Sequence, residues 1–203
     1  MQVKMDGYGR EGGQTDSLEK HAKMSQVYLA IISRYREYIE EKENISVAEL
    51  PTLVTPKAEL VVRLAGSIKS ELEPYTYDRH FPEAAAKAVE FVRTRIDDIK
   101  LPLEFWLSPE DTIKFGMGDV IDKNILLCSV LVALGNPSSK VLVVIDGTMR
   151  SYNYFEFNGR HLLIDFPTGI KGFPTREAML SSLSTNEDST VYEFNNQRYE
   201  DLF

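Results

Sequence analysis

Few side chains in this 203-residue chain can drive covalent chemistry, and their spacing narrows what that chemistry is. The single cysteine, Cys128, lies inside the apolar run Ile125 to Leu134, where a buried core thiol is the simplest reading. One cysteine excludes an intrachain disulfide and a multi-cysteine zinc site. His161 stands four residues before Asp165, roughly 13 Å along an extended strand, too far to pair with it directly. His21 and His80 have no partners at ligand spacing, so neither a metal nor a cofactor is expected. Asp119 and Asp122 could act as a carboxylate pair for acid–base or metal chemistry. The same spacing also makes Asp119 a helix N-cap with Asp122 in the first turn, and capping accounts for both.

The elements that must position these residues follow from periodicity. Residues 1–16 are polar, with Gly7, Gly9, Gly12 and Gly13, and read as a flexible leader. Ser17 is the expected cap of a helix of roughly six turns, whose stripe Met24, Val27, Tyr28, Ile31, Ile32, Tyr35, Tyr38 and Ile39 has helical spacing. That stripe is an intramolecular seam or a dimer face. Ile45 to Pro56 reads as an extended crossover. A second helix carries Leu60, Val61, Leu64, Ile68 and Leu72, Tyr75 to His80 reads as a loop, and a third helix starts at Pro82. Ser108-Pro109-Glu110 is a turn, and Phe115 to Gly118 leads into the apolar helix closed by Gly135-Asn136-Pro137. Val141 to Ile145 is a strand. Tyr152 to Phe157 and Arg160 to Phe166 flank Asn158-Gly159, the sequence of a two-residue hairpin turn. A short helix after Phe173-Pro174-Thr175 and a strand at Thr190 to Phe194 complete an α+β pattern, with helices on one side of an antiparallel sheet.

Trp106, Ser108-Pro109-Glu110, Gly118-Asp119, Asp122-Lys123, the Leu126 to Gly135 helix, the Tyr152 to Gly159 hairpin and Leu163 to Asp165 together resemble the transglutaminase-like superfamily, a papain-like thiol fold. The nearest likeness is to uncharacterised archaeal transglutaminase-like proteins, over roughly residues 81–170. The resemblance implies a thiol nucleophile at the start of the central helix, a histidine base on the first hairpin strand and a carboxylate on the second. A helix N-terminus lowers a thiol pKa, and a carboxylate orients the base, which is the physical sense of the arrangement. Carried over by position, the nucleophile falls on Val120, the base on Arg150 or Ser151, and the carboxylate on Asp165. Valine has no ionisable group, and arginine stays protonated at neutral pH.

Hairpin register chooses between Arg150 and Ser151. With Asn158-Gly159 as the turn, Phe157 faces Arg160 and Tyr152 faces Asp165, with Arg150 its diagonal neighbour on the same face. Arg150, together with Tyr152, is therefore expected to fill the base slot and contact Asp165. Trp106 walls a cleft or serves as a packing anchor. A candidate groove comprises Trp106, Asp119 and Tyr152.

The resulting expectation is a leader (1–16), an N-terminal helical extension (17–80) and a transglutaminase-like domain (81–203). Its function would be that of a catalytically inactive binding or scaffold module for a protein, peptide or small ligand. The rival is an amide or ester hydrolase using Asp119 or Asp165 with water. The net charge of −8, with no concentrated basic segment, argues against nucleic acid. The longest apolar run is too short to cross a bilayer and the start has no signal-peptide core, so a cytoplasmic protein off the membrane is expected, with a homodimer through the N-terminal helix as an allowed assembly.

Overall fold

The computed structural model describes residues 12–42, 49–100, 105–183, 185 and 189–202. The chain divides into two compact units, with the boundary in sequence between Asn44 and Ile45. In the first, α1 (Gly12–Arg34) and α2 (Arg36–Lys42) are separated by a turn at Tyr35. Val27, Tyr28, Ile31, Tyr35 and Tyr38 are all exposed. Residues 1–11 of the expected leader lie outside the described residues, and 12–16 belong to α1 rather than to a leader. Glycine content is a weak local prior, and a nucleated helix propagates through it one hydrogen bond at a time.

The second unit begins with α3 (Leu50–Leu53), where a wholly extended crossover was expected, then α4 (Glu59–Ser70) and α5 (Tyr77–Arg95). The strand β1 (Asp97–Asp98), α6 (Pro109–Phe115) and β2 (Met117–Gly118) follow, with β1 and β2 paired in parallel. Next come α7 (Val120–Ala133), β3 (Lys140–Ile145), β4 (Met149–Phe157), β5 (Arg160–Asp165) and β6 (Gly169–Phe173). Then α8 (Arg176–Ser181), β7 (Thr190–Phe194) and β8 (Tyr199–Asp201) complete the described elements. Six strands form one antiparallel sheet in the order β6-β5-β4-β3-β7-β8.

The central element is α7, largely apolar from Ile125 onward and buried from Ile121 to Leu131. Val61, Ala65 and Ile68 of α4 and Ala84, Ala85, Ala88 and Val92 of α5 share one core with Leu126, Leu127, Val130 and Leu131. The α4 stripe needs this partner to leave water, so α4 belongs to the core rather than to an extension ending at residue 80. The α5 helix starts at Tyr77, enclosing Pro82, because Tyr77 and Phe81 pack their rings on the hairpin. The Phe81 ring centroid is 5.1 Å from that of Phe155, and Tyr77 lies 5.6 Å from Phe157. Both Asn158 (φ 51°) and Gly159 (φ 70°) take the left-handed conformation that a tight two-residue hairpin turn requires. Phe157 pairs with Arg160 and Asn153 with Ile164, so the anticipated register holds.

Pleat alternation sorts the sheet into two faces. Val141, Val143, Phe155 and Ile164 pack towards α7. Leu142, Val144, Tyr154, Leu163 and Val191 pack against Met179 of α8 and Leu183. Helices therefore cover both faces, which explains why β3 is apolar at consecutive positions.

Candidate functional site

The start of α7 is built by a closed set of backbone hydrogen bonds. Asp119 Oδ1 accepts from the Asp122 amide at 2.9 Å, and Asp122 Oδ2 accepts from the Asp119 amide at 3.0 Å. Asp122 Oδ1 also accepts from the Leu107 amide at 2.8 Å, tying the preceding loop to the helix. Gly118 is required by close approach: a Cβ there would lie 2.9 Å from Asp122 Cβ. Asp122 has no exposure, and burial pushes its carboxyl up to about 7, against the lowering influence of the amides and with help from the Asp119 charge. Asp119 and Asp122 thus act as a reciprocal cap.

Val120 follows the cap with its side chain 52% exposed. It opens into a cavity of about 610 Å³. The apolar lining is Val120, Met149, Tyr152, Phe166 and Pro167; the polar lining is Arg93, Asp98, Lys123, Arg150, Ser151 and Asp165. The three positions singled out by register and resemblance, Val120, Arg150 and Asp165, therefore border one space. Lys123, one turn beyond Val120, reaches Asp98 Oδ1 at 2.6 Å.

The arrangement inside the cavity differs from expectation in one respect. Arg150 Nη2 pairs with Asp146 Oδ2 at 2.5 Å, and its Nη1 lies 3.4 Å from the Tyr152 hydroxyl. Asp165 instead accepts from the Thr168 hydroxyl at 2.7 Å. Asp146 lies four residues back across the tight β3–β4 turn, so pairing with it orders little additional chain. Two residues of β4, Ser151 and Asn153, are tied to α7. Asn124 Nδ2 donates to Ser151 Oγ at 2.8 Å and to the Val120 carbonyl at 2.9 Å, and the Asn124 carbonyl accepts from Asn153 Nδ2 at 3.0 Å.

Of the groove trio, Tyr152 lines the cavity. Asp119 is committed to the cap, and Trp106 packs on the cluster containing Ile121, Ile125 and Cys128. Cys128 is buried within that cluster, with its Sγ 3.5 Å from the Ser139 carbonyl, and burial pushes its thiol up. His80 Nδ1 accepts from the Thr76 amide at 3.0 Å and so closes the N-terminus of α5. Among the described residues, no three His, Cys, Asp or Glu side chains gather at metal-binding range. Lys123 could have been found from its three-residue spacing to Val120 on one helix face. Arg93 and Asp98 come from a helix end and a two-residue strand more than twenty positions away, and no local pattern marks them.

The fold and cavity define an α+β domain in which a capped, buried helix opens at its N-terminus onto a cleft at the sheet. No family model matches the chain, and no curated protein does. Among solved structures, LapG of Legionella pneumophila aligns with a TM-score of 0.49 and 19% identity, over 76% of this chain and 87% of that one. Its EGTA-treated form gives 0.48 and 18%, over 76% and 84%. Its calcium-bound form gives 0.44 and 18%, over 66% and 86%.

Proposed function

We propose that the chain is a binding module on a transglutaminase-like scaffold, without thiol chemistry, whose cleft beside Val120 takes an apolar side chain of a peptide with a neighbouring carboxylate. The observation that carries this is the open cavity of about 610 Å³ in front of a half-exposed valine at the helix start. A position that served only packing would be filled by side chains. Val120, Met149 and Phe166 offer an apolar wall, and Arg93 supplies a cation at its edge, while Lys123 and Arg150 are paired with Asp98 and Asp146. The first-turn amides and dipole of α7 also favour a negative group nearby.

Titration of the isotopically labelled chain with short peptides pairing Leu or Phe with Asp or Glu tests this by amide chemical shifts. Shifts centred on Val120, Met149 and Phe166, weakened by Val120→Asp, are expected. The same peptides carrying a reporter amide should show no turnover. Turnover that Val120→Ala leaves intact and Asp165→Asn abolishes would instead establish the carboxylate hydrolase.

A further inference from the structure

A second cavity, of about 390 Å³, lies on the α8 side of the sheet and shares no residue with the first. Lys140, Tyr154 and His161 contribute a wall from the strands, Arg176 comes from the start of α8, and Arg198 from the turn between β7 and β8. Behind this wall sits Glu193, with no exposure. Its carboxylate accepts from Lys140 Nζ and from the Tyr154 hydroxyl, and Arg176 Nη2 lies 2.9 Å away.

Among the described residues one buried carboxylate thus serves two cations, and no second buried acid there balances the other positive charge. Glu156 and Glu200 also border the cavity; like Arg198 they are exposed, where water and salt screen them. Lys140 is 7% exposed and is not screened in that way. Arginine and lysine around a concave space match the geometry of carboxylate and phosphate oxygens.

We infer that this cavity is a binding site for a small free oxyanion, a carboxylate or a phosphate, held between Lys140, Arg176 and Arg198. A polyanion is disfavoured by the net charge of −8, which repels an extended negative chain. The site is separate from the proposed peptide cleft and stands or falls without it.

Calorimetric titration of the full chain with inorganic phosphate and, separately, with succinate in low-chloride buffer tests the inference. Binding of either anion is expected, weakened about tenfold or more by Arg198→Gln. Arg198 is exposed and outside the buried network, so this variant should keep the wild-type unfolding midpoint. Arg176→Gln is the second variant and should weaken the same anion. Phosphate alone binding identifies a phosphate site, and succinate alone a carboxylate site. No binding of either anion up to about 10 mM, or binding that both variants leave unchanged, overturns the inference.

Discussion

Replacing Glu193 by Gln removes the charge that holds α8 and two strands together, and the structure sets the size of the loss. Glu193 has no exposure, and the side chains of its partners Lys140 and Arg176 are 8% and 30% exposed. Arg176 can turn part of its guanidinium to water, whereas Lys140 has little freedom to do so. Breaking a buried pair by removing one partner costs about 3–5 kcal/mol, mainly through the charge left behind. A loss of that order is expected in urea denaturation of the full chain, with an unchanged slope. Converting Lys140→Met and Glu193→Leu together should recover most of it, because a matched apolar pair leaves no charge that cannot be hydrated. The pH dependence supplies a second reading. Burial alone would raise the Glu193 carboxyl, but hydrogen bonds from Lys140, Tyr154 and Arg176 outweigh it and hold the pKa below the usual 4.5. A lowered folded-state pKa means that the stabilisation is fully present above about pH 5 and is lost as the pH falls through the folded value. Wild type and Glu193→Gln should therefore converge in acid. A loss below about 1 kcal/mol at neutral pH, the size of an exposed ion pair, would refute the reasoning.

Three further outcomes follow from the central helix and the N-terminal unit. Asp122→Asn keeps one acceptor and sets its amide group against a backbone N–H, so it should cost about 1–3 kcal/mol by denaturant titration. Because the Asp122 carboxyl is raised to about 7, its stabilisation is present below pH 4 and fades as pH rises through 7, so the gap between wild type and variant should shrink over that range. Native Cys128 should resist a disulfide reagent until the chain unfolds, whereas a thiol placed by Val120→Cys should react in the folded protein; fast native labelling of Cys128 would contradict its burial. The exposed stripe of α1 and α2 is proposed as a homodimer seam, and light scattering should give a dimer that Tyr28→Ser with Ile31→Asp dissociates.

What was legible in the sequence was set by short-range physics. The cap at Asp119, the apolar helix behind it and the hairpin with its register each depend on residues within a few positions of one another, and each stands in the structure. The start of α5 was misplaced because Pro82 signals a first turn, while the helix is drawn back by contacts of Tyr77 and Phe81 with strands over seventy residues away. The β6 and β8 strands carry little pattern of their own: β6 has Gly at both its first and fourth positions, and β8 spans three residues. Pairing to a neighbour makes them strands. The Arg150 partner was misread because hairpin register orders residues across strands, whereas Asp146 approaches along the chain through a turn. No local pattern marks Glu193. Its place in Thr190–Phe194 reads as the polar phase of a half-buried strand, and only a helix on the second face turns that position into an interior one.

The same separation between local and distant forces bears on how the cleft keeps its shape. The residue at position 120 contributes little to holding the helix start. The cap is closed by Asp119, Asp122 and the Leu107 amide, and Asn124 anchors the first turn to Ser151 of β4. Val120 itself points half into solvent, so exchanging one side chain for another there costs the fold little. Geometry and chemistry at this helix terminus are therefore independent: the cleft is shaped by buried hydrogen bonds, and its reactivity would be set by one exposed side chain. With a valine in that place, Arg150 tied to Asp146 and Lys123 to Asp98, the remaining physical resources are an apolar wall, Arg93 and a helix dipole. Those resources are the ones the proposed acidic, apolar peptide would use.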